Sequence, residues 1–251
     1  GTNAMTAAQS SSDFSISTKN QTSIMQSIVS ATSVANNDMQ ELIDNEAEDS
    51  LKSLAVMQKS GLVEDSDIKK IRAFYDNYLL AQKNLLESHS EYIRARDNAF
   101  TGLNNFEAYM KVLEFFTNQI YNLDDIDQDD KIELTSEFYQ TKVALQLRFY
   151  YAQRYLGGED EMLDALESSE DDMIDESEEL ADLELLNNTI RTGKYENQEY
   201  TDVLNDLVTE HNEQFTILVA SFKSFKEVQS DYEKAEQITL ENSKLIVEKI
   251  K

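Results

Sequence analysis

Polar and charged side chains set on the apolar seams of long helices are the residues here with types and spacing suited to chemistry. Gln82, His89 and Arg96 fall on one predicted seam, Thr141 and Arg148 on a second, and His211 on a third. Burying such groups without partners costs about 1–3 kcal/mol or more each, so their placement calls for a reason. One reason is a ligand pocket. Arg96 and Arg148 would then be charge-assisted donors, with His89, Gln82 and Thr141 as further polar contacts. Tyr78 and Tyr92, along with Tyr75 and Tyr155, would supply aromatic walls. The plainer reading is that these groups pair with neighbouring Asp and Glu or reach the seam edge along their aliphatic stems. Arg94 and Arg154 are expected to face outward. His89 and His211 are either groups that titrate near neutral pH or hydrogen-bonded core residues.

Other chemistry finds little footing. With two His and no Cys, and with no Gly-rich phosphate loop, HExxH or nucleophile elbow, no catalytic constellation is expected. The same residues imply no cofactor and no metal centre. Asp125, Asp127 and Asp129 are spaced like the start of a calcium loop, but position six is Asp130 rather than Gly and position twelve is Ser136 rather than Glu. An acidic helix N-terminus accounts for them. From Glu159 to Glu184 there are 14 acidic residues and no basic one. That stretch reads as a helix with one solvated, self-repelling face, or as a docking face for a basic partner.

The elements that must position these groups are helices. The 251 residues include no Pro, no Trp and only 6 Gly, so turn-rich β folds are disfavoured, while hydrophobic content of 40% is enough for a core. Forty-nine acidic against 22 basic residues give a formal charge of −27, which excludes nucleic acid as a partner. No run of about 18 apolar residues is present, and no signal peptide is expected in these residues. Gly1–Ala4, ahead of Met5, has the character of a tag, and residues 1–13 are expected to be disordered.

Helix breaks are expected at Ser60-Gly61, Thr101–Asn105, Asp124–Asp130, Gly157-Gly158 and Thr192-Gly193. They leave six helices, roughly 15–59, 66–100, 104–122, 129–156, 160–190 and 197–251. Steps of three and four residues mark the seams: Ile71, Tyr75, Tyr78, Gln82, Leu85, His89, Tyr92, Arg96 and Ala99 on the second helix, and Leu134, Phe138, Thr141, Leu145, Arg148, Ala152 and Tyr155 on the fourth. On the last they run Leu204, Leu207, His211, Phe215, Leu218, Phe222 and Phe225, then Tyr232, Ala235 and Ile238. This is the pattern of an all-α, elongated antiparallel helix bundle. The last helix has no stop signal, and the sequence predicts more helix beyond Lys251.

The segment Leu147-Arg148-Phe149-Tyr150-Tyr151-Ala152-Gln153-Arg154-Tyr155-Leu156-Gly157-Gly158-Glu159-Asp160-Glu161-Met162-Leu163 is similar to the R…YL-x-G-(D/E)…L helix–turn–helix of four-helix sensor domains in bacterial chemoreceptors and sensor histidine kinases. With Phe74–Ala81 and the chain length, the layout resembles the helical bimodular variety. The resemblance implies that 14–251 is a sensor domain of two stacked four-helix bundles sharing long N- and C-terminal helices. It implies a periplasmic location, with the membrane reached only through segments outside this chain. It also implies a homodimeric full-length receptor, whose partner is a small-molecule ligand or a periplasmic binding protein. The strongly acidic surface departs from relatives that bind organic acids. A secreted or virulence-associated helical interaction protein and a cytosolic coiled-coil scaffold are the alternative readings.

Overall fold

The computed structural model describes residues 2–183 and 200–250. Those residues form six helices and no strand: α1 (Thr2–Val29), α2 (Asn37–Lys59), α3 (Asp65–Tyr121), α4 (Gln128–Leu156), α5 (Met162–Asp182) and α6 (Tyr200–Ile250). The all-α expectation holds. None of these helices is long and apolar enough to cross a membrane. The expected break at Thr192-Gly193 lies outside the described residues, as do the end of the fifth predicted helix and the start of the last.

Two stops fall where glycine was expected to supply them. Gly158 sits at φ +105°. Its N–H donates to the Tyr155 carbonyl and the next N–H, of Glu159, donates to that of Arg154, which is the Schellman closure of α4. The Arg154 guanidinium and the Glu159 carboxylate pair across the same turn. Gly61, at φ +71°, ends α2, and its N–H donates to the Gln58 carbonyl. At the acidic stretch, the Asp127 side chain accepts from the Asp129 N–H at 3.0 Å and caps α4, in line with the plain reading of that cluster.

Three expectations are corrected. Residues 2–13 are helical rather than disordered: α1 begins at Thr2, and Ala7, Ser10 and Ser11 are already buried. The predicted helix 15–59 is two helices. The chain leaves α1 after Val29 and starts α2 behind Asn36, whose side chain accepts from the Met39 N–H at 2.9 Å. The predicted helices 66–100 and 104–122 are one helix, α3, of 57 residues. Gly102 does not stop it. Buried inside α3, Gly102 leaves room for the side-chain amide of Gln214 on α6, which occupies the place a β-carbon would need.

The chain divides into two compact units. Unit 1 comprises residues 1–94 and 220–251, and unit 2 residues 95–219. Each is built from four helical segments: α1, α2, the first part of α3 and the last part of α6 in unit 1; the rest of α3, α4, α5 and the first part of α6 in unit 2. The helices common to both units are therefore α3 and α6: the C-terminal helix is shared as expected, but the N-terminal one is not, because the break after Val29 keeps α1 and α2 within unit 1.

The predicted seams are the observed ones with few exceptions. All seven named positions of α4 are buried. On α3, Tyr92 and Arg96 are half-buried and the other seven are buried. On α6, Ile238 is exposed and its neighbour Thr239 takes the buried place. In unit 1, Phe14, Met25, Ile28, Leu54, Met57 and Ile71 supply much of the apolar interior. In unit 2, Phe106, Leu113, Phe138, Leu145, Met173 and Leu204 belong to one contiguous core.

Candidate functional site

The seven candidate residues do not fall in one unit. Tyr78, Gln82, His89 and Tyr92 belong to unit 1, whereas Arg96, Thr141 and Arg148 belong to unit 2.

In unit 1, Tyr78 and Gln82 enter a buried polar network that draws on all four helical segments. The Gln21 amide on α1 donates to Tyr75 Oη at 2.9 Å and to Ser50 Oγ on α2 at 3.2 Å, and Gln82 donates to Gln21 Oε1 at 3.2 Å. One turn along, the Thr22, Tyr78 and Tyr232 hydroxyls form a closed triangle with edges of 2.9, 2.9 and 2.7 Å, which joins α1, α3 and α6. Burial raises the Tyr75, Tyr78 and Tyr232 hydroxyls above the ordinary phenol range, so they stay protonated. These side chains satisfy one another, and the network fixes the register of the four segments. His89 Nε2 lies 3.3 Å from the Ala31 carbonyl, and its ring packs against Phe225. Tyr92 stacks on Phe225 with an interplanar angle of 6°.

In unit 2, Arg148 is only 2% exposed. Its Nη1 points at the Leu166 carbonyl and Ser169 Oγ, both 3.4 Å away on α5, and the guanidinium lies over the Phe215 ring of α6. Burial lowers its pKa to about 10 against the opposing pull of Glu170, which leaves it charged at neutral pH. His211 packs its ring on Phe215, with centroids 4.3 Å apart, and has no hydrogen-bond partner among the described residues. Burial, reinforced by the charge of Arg148, drives its pKa to about 3. His211 is thus a neutral core ring, the second of the two readings of this residue but without the hydrogen bond that reading included: among the described residues its surroundings offer an imidazolium a like charge and no acceptor. Arg96 is paired with the adjacent Asp97 at 3.3 Å.

Thr141 leads to a group the sequence reading passed over. Its hydroxyl is shared between the carbonyls of Glu137 on its own helix and Glu176 on α5. Side-chain oxygens of Glu137, Glu176 and Glu179 all lie within 4.8 Å of one another there, close enough to share a proton or to hold a cation. Burial first, and then the neighbouring Glu179 and Glu176, push Glu137 up to about 7.

A cavity of about 880 Å³ lies between α5 and α6 in unit 2. Ile174, Ala181, Val208 and Ile217 give it an apolar lining, and Glu170, Glu178, Asp182 and Glu213 give it carboxylates. Asn212 also faces it, 9% exposed and with Oδ1 lacking a hydrogen-bond partner. None of the seven candidate residues lines this cleft. Its residues are ordinary surface types on two helices far apart in sequence, and only the acidic run of α5 hinted at it.

Comparison of the chain with models of known families, with curated proteins and with solved structures gave no match.

Proposed function

We propose that this chain is the ligand-sensing domain of a bacterial transmembrane receptor, of the chemoreceptor or sensor-kinase type, working at the periplasmic face of the inner membrane. The supporting observation is that α3 and α6 each run unbroken from one four-helical unit into the other. A ligand changes the state of such a protein only by binding one packing of its helices better than another. Tightly packed seams have discrete arrangements, so a preferred packing displaces a helix by about 1–2 Å as a body. In α6 such a displacement in unit 2 is carried by the same rod that forms part of unit 1. The cleft against α6 is the place where a small molecule would bias that packing. The full-length protein would act as a homodimer, with the small molecule, or a periplasmic binding protein carrying it, as the partner.

The test is a hybrid receptor in which this chain replaces the sensing domain of a chemoreceptor. The expected result is kinase output that changes with a ligand found in a thermal-shift screen of amino acids, organic acids, amines and sugars. A hybrid that assembles but gives the same output with every ligand that binds would refute the sensing role.

A further inference from the structure

We propose that the α5–α6 cleft binds an organic amine, a molecule with an ammonium group on an aliphatic or aromatic body. The biological role of that binding rests on the sensing reading above; the binding itself rests on the cleft.

Charge points to a cation. Among the described residues, four carboxylates line the cleft and no lining residue is basic. Glu170 shares its field with the buried Arg148 behind it. Glu178, Asp182 and Glu213 form no ion pair with a described Lys or Arg. Carboxylates gathered along a concave, partly apolar wall concentrate cations locally even where salt screens the rest of the surface. An organic anion would meet the same groups as repulsion.

Hydrogen-bond chemistry points the same way. Asn212, which lines the cleft, carries in Oδ1 a buried acceptor with no hydrogen-bond partner among the described residues. Leaving it so is costly, and a ligand donor relieves that cost. An ammonium group offers up to three donors and no acceptor, which complements an amide oxygen on a wall that also carries carboxylates. The remaining lining argues against a bare metal ion or a fully polar amine. Ile174, Ala181, Val208 and the exposed Ile217 make an apolar strip that a hydrated cation could not use and an alkyl or aryl body would cover. The anionic ligand that Arg148 suggested has no place here, because that side chain is turned into the core under Phe215.

Calorimetric titration of the intact chain with phenethylamine, 1,5-diaminopentane and 3-phenylpropionate, at low salt and at about 150 mM salt, tests this. One saturable site for an amine, persisting at the higher salt, and none for the carboxylate is the expected result. Asn212→Leu and Glu213→Lys should each weaken it about tenfold or more. Glu213 is exposed, so its variant keeps the fold even if the buried substitution does not. Amine binding that is absent, or that survives both substitutions unchanged, overturns the proposal; the second pattern marks loose counterion attraction to an acidic surface. The hybrid receptor separates the two readings. An amine that occupies the cleft without changing output sinks the sensing role and leaves the site standing. A hybrid that answers another ligand while no amine binds does the reverse.

Discussion

Replacing Glu137 by Gln should make unit 2 more stable at pH 8 than at pH 4.5, relative to the unaltered chain. In the folded protein Glu137 is held near 7, against an ordinary 4.5. Below 4.5 the carboxyl is protonated in both folded and unfolded chains and contributes no difference. As pH rises towards 7 the unfolded chain releases this proton first, so folding is progressively penalised, and above 7 the penalty is complete. The gap corresponds to at most about 3.4 kcal/mol. Glu179 is exposed and the cluster meets solvent, so screening reduces this to roughly 1–2 kcal/mol. Glutamine never ionises and escapes the penalty. Urea denaturation of both chains at half-unit intervals from about pH 4 to 8 reads the difference, followed by a probe in unit 2. Glu133→Gln, also on α4 but exposed, supplies the baseline for removing one negative charge from a chain of net charge −27. The stability difference for Glu137→Gln should climb between pH 4.5 and 7 and then level. A flat difference, or one no larger than that of Glu133→Gln, would show that the three carboxylates do not compete for a proton.

Three further outcomes follow from the packing. Tyr78→Phe removes the hydroxyl shared by Thr22 and Tyr232 and should cost about 1–3 kcal/mol, read as a lower urea midpoint for unit 1; no change would mean that the triangle is not formed in solution. Gly102→Ala should gain little alone, because the methyl meets the Gln214 amide, yet stabilise a Gln214→Ala background by about 1 kcal/mol; equal effects in the two backgrounds would contradict the close approach. In NMR titrations the His211 ring should remain neutral through pH 5 and resist protonation until the fold is lost, its neutral form stabilising the protein above its unfolded value of 6.5 and that contribution falling away as the pH drops towards 3. A His211 transition near 6.5 in the folded chain would place the ring outside the core.

The parts of the fold that could be read from sequence were those written in apolar periodicity and in glycines with positive φ. The α4 seam and the stops at Gly61 and Gly158 are examples. What escaped was written in polar residues. Ala7, Ser11, Phe14, Thr18, Gln21, Met25 and Ile28 step by fours and threes along α1, and all are buried, yet three of the seven are polar, as are Ser10, Ser17 and Thr22 buried beside them, and the stripe does not register as hydrophobic. The break after Val29 has no Gly or Pro; a Ser/Thr/Asn run competes for backbone bonds instead, and Asn36 does the capping. Gly102 carries a stop signal, but its use is space for a neighbouring helix. Of the candidate residues, the seam positions of Gln82, His89, Thr141 and Arg148 were legible from spacing, whereas their partners were not. Gln21, Ser50 and Glu176 lie on other helices and become neighbours only through tertiary packing. The cleft was invisible for the same reason.

The inner face of α1 is gripped by directional contacts more than by grease. A helix held by leucines can creep, because one methyl is much like the next. The hydroxyl of Thr22 is addressed to Tyr78 and Tyr232, the amide of Gln21 to Tyr75, Ser50 and Gln82, and the hydroxyl of Ser11 to Ser243. Sliding α1 by one residue would break these together and offer no substitutes. Its motion relative to the other three segments is therefore notched: it stays seated, or it jumps to another detent where such bonds can close again.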